Sequence, residues 1–406
     1  MRTILTSVAV LLCAAIIGGA AQAGYTLFDT AKDAGYIVRG EFVGLERTDR
    51  GDRLTFRCDK VLNGEVEVGQ EVTIEPIDKA YNDAALGREA IIGFNLRDGK
   101  FYSTWLRRSI YTELDDVAGN GLDINEAAIT ALLEINAPHM EAIRNNQPLP
   151  ASLFEAWRVE LIRQAGQSGS WAARDAAKVL FEHSLLKGTL SAEQMREIGG
   201  LVPKSAPGTI ERAYMLSLVR THLDVHPDLN TQFEMLMEET SEACVGKLAN
   251  LISVKDRAAV LSRLDLIVED KNSTSQQRVN ALQVLEGLRD TDGLSTVHGV
   301  LSSEVANGES FDKDVVRRAL LALRTTPHDS SVTPLEDFIR SDIGKNSREL
   351  SERALIAYSV IDNDTTNGKL IHMYLNAPNP AQKQFLRKLL PVNKETRLLV
   401  QIFNED

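Results

Sequence analysis

Two hydrophobic periodicities divide this chain. In its later part, apolar residues return at helical spacing: Val316, Ala319, Leu320 and Leu323 fall at i, i+3, i+4 and i+7 and form one stripe. The same frame recurs upstream at Ala281-Leu282-Gln283-Val284-Leu285 and downstream at Ala354-Leu355-Ile356-Ala357-Tyr358. An acidic turn follows each stripe, at Asp290 to Gly293, at His328-Asp329-Ser330 and at Asp362-Asn363-Asp364. A second amphipathic helix is predicted after each turn, carrying Leu294, Val297, Val300 and Leu301, then Leu335, Phe338 and Ile339, then Leu370, Ile371 and Tyr374. Alanine at the centre of each first helix lets a neighbour approach closely, while Leu and Val fill the layer between units.

Stepping back by about 35 residues, a length typical of two-helix solenoid units, reaches Ala249, Ala213 and Ala177. The Ala249 unit has a clear second helix around Asp256 to Leu264; the two earlier ones are interrupted by Pro203, Pro207 and Pro227. From residue 165 to 406 the chain resembles a HEAT-repeat array, best matched over Val316 to Leu323 and Arg278 to Leu288. An irregular helical bundle is the competing reading.

Ahead of the array the period shortens to two. Strands are predicted over Tyr36 to Val43, Leu54 to Leu62, Val72 to Ile74, Ala90 to Leu96 and Phe101 to Leu106, with turns at Asp49 to Asp52, Asn63-Gly64 and Asp98-Gly99. Thr26 to Ala34 reads as a short helix leading in. Five short strands of this composition predict a small barrel. The phrases Phe56 to Gly64, Val68 to Val72 and Gly87 to Phe94 resemble the OB-like barrel of netrin/TIMP-like modules in exported bacterial proteins. TIMP-type inhibition acts through an amino-terminal cysteine, whereas the expected mature start here is Gly24-Tyr25, so that mechanism is not implied. The expected fold is therefore multidomain and mainly α: a five-stranded OB-like β-barrel over 24–112, a linker with connecting helices over 113–164, and HEAT-like repeats over 165–406.

The first 23 residues have a basic start, an apolar run from Ile4 to Ile17 and the ending Ala21-Gln22-Ala23, the pattern of a cleaved secretory signal. The run is short for a membrane span, and Leu11-Leu12 before Cys13 departs from a lipoprotein signal. A periplasmic or extracellular protein without stable membrane insertion is expected. Cys58 and Cys244 could pair in an oxidising compartment, but they fall in different domains. Cys58 alternates with Leu54 and Phe56, which points to a buried thiol.

A net charge of −12 argues against nucleic-acid binding, which requires a basic surface. Gly166-Gln167-Ser168-Gly169-Ser170 lacks the spacing of a nucleophile elbow, and no Gly-Lys pair completes a phosphate loop. His222 and His226, with Asp224 and Asp228 beside them, would share one face of a helix end, but no third zinc ligand is in view. Asp362 to Gly368 and Asp115 to Asp123 are oxygen-rich without the full spacing of a calcium loop, and Asp362 has a ready role as a helix cap. No cofactor, metal or catalytic residue is assigned. The expected function is non-catalytic binding of a protein or peptide along the solenoid. Two other readings stay open: an enzyme with its site at the barrel–solenoid junction, and a small-ligand or glycan module on the barrel. Arg278, Arg317 and Arg353 mark the expected partner-contact strip, unless each pairs with a turn aspartate of the preceding repeat, as Arg317 with Asp290. Arg317, Arg318 and Arg353 could also line an anion-binding concave face, but the expectation for Arg318 is that it is solvated or bridges adjacent repeats.

Overall fold

The computed structural model describes residues 26–49, 51–77, 86–103, 110–112, 121–270, 272–289 and 291–390. The signal segment, Cys13, Trp105, Asp290 and most of the 115–123 linker lie outside them. By contact density the chain divides into two compact units, Met1–Val225 and His226–Asp406.

The first unit begins with α1 (Leu27–Asp33), closed by a reciprocal cap between Thr26 and Asp29. Six strands follow: β1 (Tyr36–Thr48), β2 (Gly51–Asn63), β3 (Glu71–Ile77), β4 (Glu89–Arg97), β5 (Lys100–Ser103) and β6 (Ile110–Thr112). Five of them close a barrel in the order β1-β2-β3-β5-β4, with β4 returning to β1 through Tyr36↔Phe94 and Val38↔Ile92. The β3–β5 pairing is parallel, Ile74 against Phe101, and the other pairings are antiparallel. This is the small closed barrel expected from the five predicted strands. The short β6, which had no counterpart among them, extends β4 at Ala90↔Thr112.

Period-two alternation fills the barrel. Val38 and Phe42 on β1, Leu54, Phe56 and Cys58 on β2, and Ile92 and Phe94 on β4 all point inward and are fully buried. Phe42 meets Phe56 edge-on at 5.0 Å between centroids. Gly40 sits at a register shift of β1, where a Cβ would lie 1.9 Å from the Arg57 carbonyl oxygen, so the two strands approach more closely than any side chain allows. On the opposite face of the barrel wall, Ile37 and Ile91 join Leu27 and Leu122, Ala128 and Ile129 in a second cluster that covers it with helices.

The helices of this unit are α1, α2 (Gly121–Asn136), α3 (Met140–Arg144), α4 (Ala151–Ala165), α5 (Trp171–Glu182), α6 (Ser184–Lys187), α7 (Ala192–Leu201) and α8 (Ile210–Val219). Buried polar side chains tie them together. Asn136 donates to the Ala31 carbonyl at 3.1 Å and accepts from Trp157 Nε1 at 2.8 Å. The Asp175 carboxylate accepts from the Leu27 backbone N–H at 2.8 Å and from Trp171 Nε1 at 3.0 Å. Burial pushes that carboxyl up to about 7, against the hydrogen bond from Leu27 and the fields of Arg174 and Lys178.

The second unit is a helical solenoid. Its helices are α9 (Leu229–Glu238), α10 (Glu242–Ile252), α11 (Arg257–Glu269), α12 (Ser275–Leu288), α13 (Leu294–Ala306), α14 (Lys313–Thr325), α15 (Val332–Arg340), α16 (Asp342–Asn346), α17 (Arg348–Ser359), α18 (Asp364–Leu375) and α19 (Pro380–Leu389). α10, α12, α14 and α17 lie side by side in one row, and α11, α13 and α15 form the row behind. Ala281, Ala319 and Ala354 are each fully buried at the centre of a first-row helix. Each of these helices opens on a side-chain cap, from Ser241, Thr274, Asp312 and Ser347 in turn.

Polar ties recur between units. Asn280 donates to the carbonyls of Leu236 and Glu239, both at 2.9 Å, and His298 meets Ser331 at 2.9 Å. Arg318 spans three first-row helices, binding Glu286 of α12 at 2.9 Å and Glu242 of α10. It therefore bridges repeats, one of the two roles expected for it. The cap expected from Asp362 comes instead from Asn363, whose side chain accepts from Thr366 N–H at 2.8 Å. Asp362 itself turns into the left-handed region, at φ 50°, and accepts from Asn367. Cys58 and Cys244 are both buried free thiols.

Candidate functional site: an apolar groove at the start of the solenoid

Pro227 cannot continue a helix, and the chain restarts behind it. Asp228 caps α9, accepting from Thr231 N–H at 3.0 Å and from the Thr231 hydroxyl at 2.8 Å. These bonds hold the Asp228 carboxylate below its ordinary range. Gln232 donates back to the Pro227 carbonyl at 2.7 Å, which fixes the entry to the helix. The buried side of α9, with Met235 and Leu236, faces the core. Asn230, Phe233, Glu234 and Met237 share the adjoining face at i, i+3, i+4 and i+7.

The facing wall comes from α11. Asp256 caps it, accepting from Ala259 N–H at 2.9 Å, and Val260, Leu264 and Val268 anchor its buried stripe. This arrangement turns Arg263, Leu266 and Ile267 the other way. α9 packs on α10 and α12, and α11 packs on α12 and α13, so the two walls meet mainly through Arg263. Between them lies an open groove of about 860 Å³, floored at one end by Gln277 of α12. Leu266 is 67% exposed on its lip, an unusual position for leucine on a helix whose remaining apolar stripe is buried.

The charged side chains of the groove are engaged to different degrees. Arg263 donates to Asn230, and its guanidinium carbon lies 5.2 Å from the centre of the Phe233 ring. Its cation is thereby held against the wall. Glu234 and Glu238 are exposed along α9, and Glu234 has no hydrogen bond or ion pair among the described residues. The arrangement offers apolar area beside negative charge; it holds no nucleophile or paired acid and base.

The three arginines expected to face a partner occupy different settings. Arg278 is mostly covered: its Nε donates to the Val268 carbonyl at 3.1 Å, and Nη2 lies 2.8 Å from the buried Glu304 carboxylate. Arg317 and Arg353 do converge, on Glu349, at 2.8 and 3.2 Å, and Lys313 reaches the same carboxylate at 2.9 Å. Hydrogen bonds from Arg317 and then Lys313 bring the Glu349 carboxyl down to about 2. Arg317 also binds Asp314 at 2.8 Å. Asp290, the turn aspartate suggested for Arg317, lies outside the described residues. Relative to the buried alanine of its helix, Arg278 stands three residues before, Arg317 two and Arg353 one. Each step rotates a side chain by roughly 100°; Arg317 and Arg353 nevertheless share Glu349, while Arg278 is held on Glu304.

The histidine pair is not carried on one helix. α8 ends at Val219, a single 3₁₀ turn spans Leu223–Val225, and Asp228 is committed to its cap. Among the described residues no three His, Cys, Asp or Glu side chains gather into a metal-binding group. No helix there is long and apolar enough to cross a membrane.

The sequence reading passed over Phe233, Met237, Leu266 and Ile267. One signal was available: Leu266-Ile267 adjoins the stripe of Val260, Leu264 and Val268, so α11 carries more apolar surface than one interface can bury. No protein-family model matches this chain, and neither the curated proteins nor the solved structures contain a match.

Proposed function

We propose that this is an exported, non-catalytic binding protein whose helical solenoid engages a protein or peptide partner, with the groove between α9 and α11 as the contact. Export is inferred from residues 1–23, and their removal should leave Gly24 as the amino terminus in intact-mass measurement. One observation carries the binding assignment: a groove between two helical walls whose lip carries the exposed Leu266, with the half-buried Met237 and Ile267 beside it. A repeat array supports this use because each unit packs only on its neighbours, so a groove can open locally without disturbing the rest.

Site-specific photo-cross-linking tests the reading. A photoreactive residue at position 266 should form a discrete adduct with one protein of the exported fraction. The same residue at Val68, 70% exposed on the barrel, should not. Equal labelling from both positions, or none from position 266, would count against the groove as the contact.

A further inference from the structure

We infer that the groove selects an amphipathic helix bearing basic residues beside its apolar face; this rests on the binding role proposed above and specifies the chemistry of the partner. Shape and charge lead to it separately.

The walls are two helices, lined on the α9 side by Phe233 and Met237 and on the α11 side by Leu266 and Ile267. A helix laid between such walls presents side chains at i, i+3, i+4 and i+7, a spacing that matches their own rows. An extended strand would need unpaired backbone groups along the groove, and helical walls have already used theirs. Leu266 would pass from exposed to buried and supply the central apolar contact.

The charge argument turns on Glu234. It stands on the α9 wall beside Phe233, is exposed, and has no partner among the described residues. The positive charge of the groove, on Arg263, is directed inward onto Phe233 and Asn230. An acidic helix would bring like charge against Glu234 while the guanidinium stayed engaged; a lysine or arginine on the flank would meet it. The rim is thus expected to reject acidic partners as well as attract basic ones.

The experiment uses the full chain and two synthetic fluorescent helical peptides. They share leucines at i, i+3, i+4 and i+7 and differ only in carrying lysines or glutamates on the flank. The lysine peptide should bind roughly tenfold more tightly at low ionic strength, and its advantage should shrink as salt rises. Leu266→Asp should weaken both peptides, and Glu234→Lys should reduce or reverse the preference. Both side chains are exposed, so both variants should fold normally by circular dichroism.

Equal affinity for the two peptides would overturn the charge assignment. So would failure of either to bind, or binding indifferent to Leu266→Asp. If position 266 still cross-links one partner in that case, the binding role survives and only the partner chemistry fails. If sedimentation shows a dimer that Leu266→Asp dissociates, the occupant is a second copy of this chain, and the inference is wrong.

Discussion

In the barrel, Tyr36 pairs with Phe94 and Ile74 with Phe101, so closure requires residues far apart in sequence to meet. In the array, Ala281, Ala319 and Ala354 are buried chiefly by helices of the same or the next unit. The first construction closes on itself through β1 and β4 and is expected to fail as a whole. The second can open in one place while its neighbours hold, which is what α9 and α11 do. Two carboxylates, one in each unit, sit in opposite settings. The first unit buries Asp175 away from water, whereas the second keeps Glu349 at the surface among cations.

The largest expected effect separates the units outright. Ala319→Asp places an unpaired carboxylate in a fully buried helix interface, at a cost of several kcal/mol, roughly 5 or more if it stays ionised. Amide protection should collapse around Val316 to Leu323 and persist in β1, β2 and β4. Normal protection in α14 would mean that the solenoid can accommodate the charge. In the barrel, Phe56→Ala removes an aromatic packed edge-on against Phe42 and should cost about 3–5 kcal/mol. Barrel amides should then exchange together, because closure admits no partial loss; α14 should stay protected.

Next in size is a pH response of opposite sign in the two units. The Asp175 carboxyl is raised, so its stabilising contribution is complete below its ordinary value of 3.8 and is lost as pH rises through about 7. The Glu349 carboxyl is depressed: its contribution is present above 4.5 and is lost as pH falls towards about 2. All three tryptophans precede Val225, so their fluorescence follows the first unit alone. Urea titration between pH 4 and 7 should show that signal's midpoint falling as pH rises, and Asp175→Asn should flatten the trend. A midpoint independent of pH would place water at the carboxylate.

Arg318→Met is smaller. It keeps the aliphatic stem and removes the bonds to Glu286 and Glu242, so a loss of about 1 kcal/mol is expected. Thermal unfolding of the second unit should register it without change in the tryptophan signal. Smallest of all is Leu266→Asp, within about 0.5 kcal/mol of the parent because the side chain is already exposed. A large loss there would show that the groove is part of the core.

Much of the fold is written in local periods. The stripe of Val316, Ala319, Leu320 and Leu323 announces α14, and the alternation of Leu54, Phe56 and Cys58 announces β2, because each pattern is set by backbone geometry alone. The helix α9 was harder to see: Pro227 reads as an ending, and only the cap from Asp228 reveals a new start. The groove was not legible. It depends on how α9 and α11 pack on α12, a relation between helices that neither sequence carries by itself. The arginines show the same limit at finer scale. Counting repeats placed Arg278, Arg317 and Arg353 in equivalent units, but an offset of one residue in a helix redirects a side chain by more than a quarter turn.

The reach of Arg318 has a consequence for how the solenoid comes apart. An array whose units touch only their neighbours frays from an end, one helix pair at a time. A side chain on α14 that grips both α12 and α10 adds a next-nearest-neighbour coupling, so these three helices tend to open together. The cooperative length of the array is then longer than one repeat over this stretch, and the α11 wall that packs on α12 is held by a block that resists piecemeal loss.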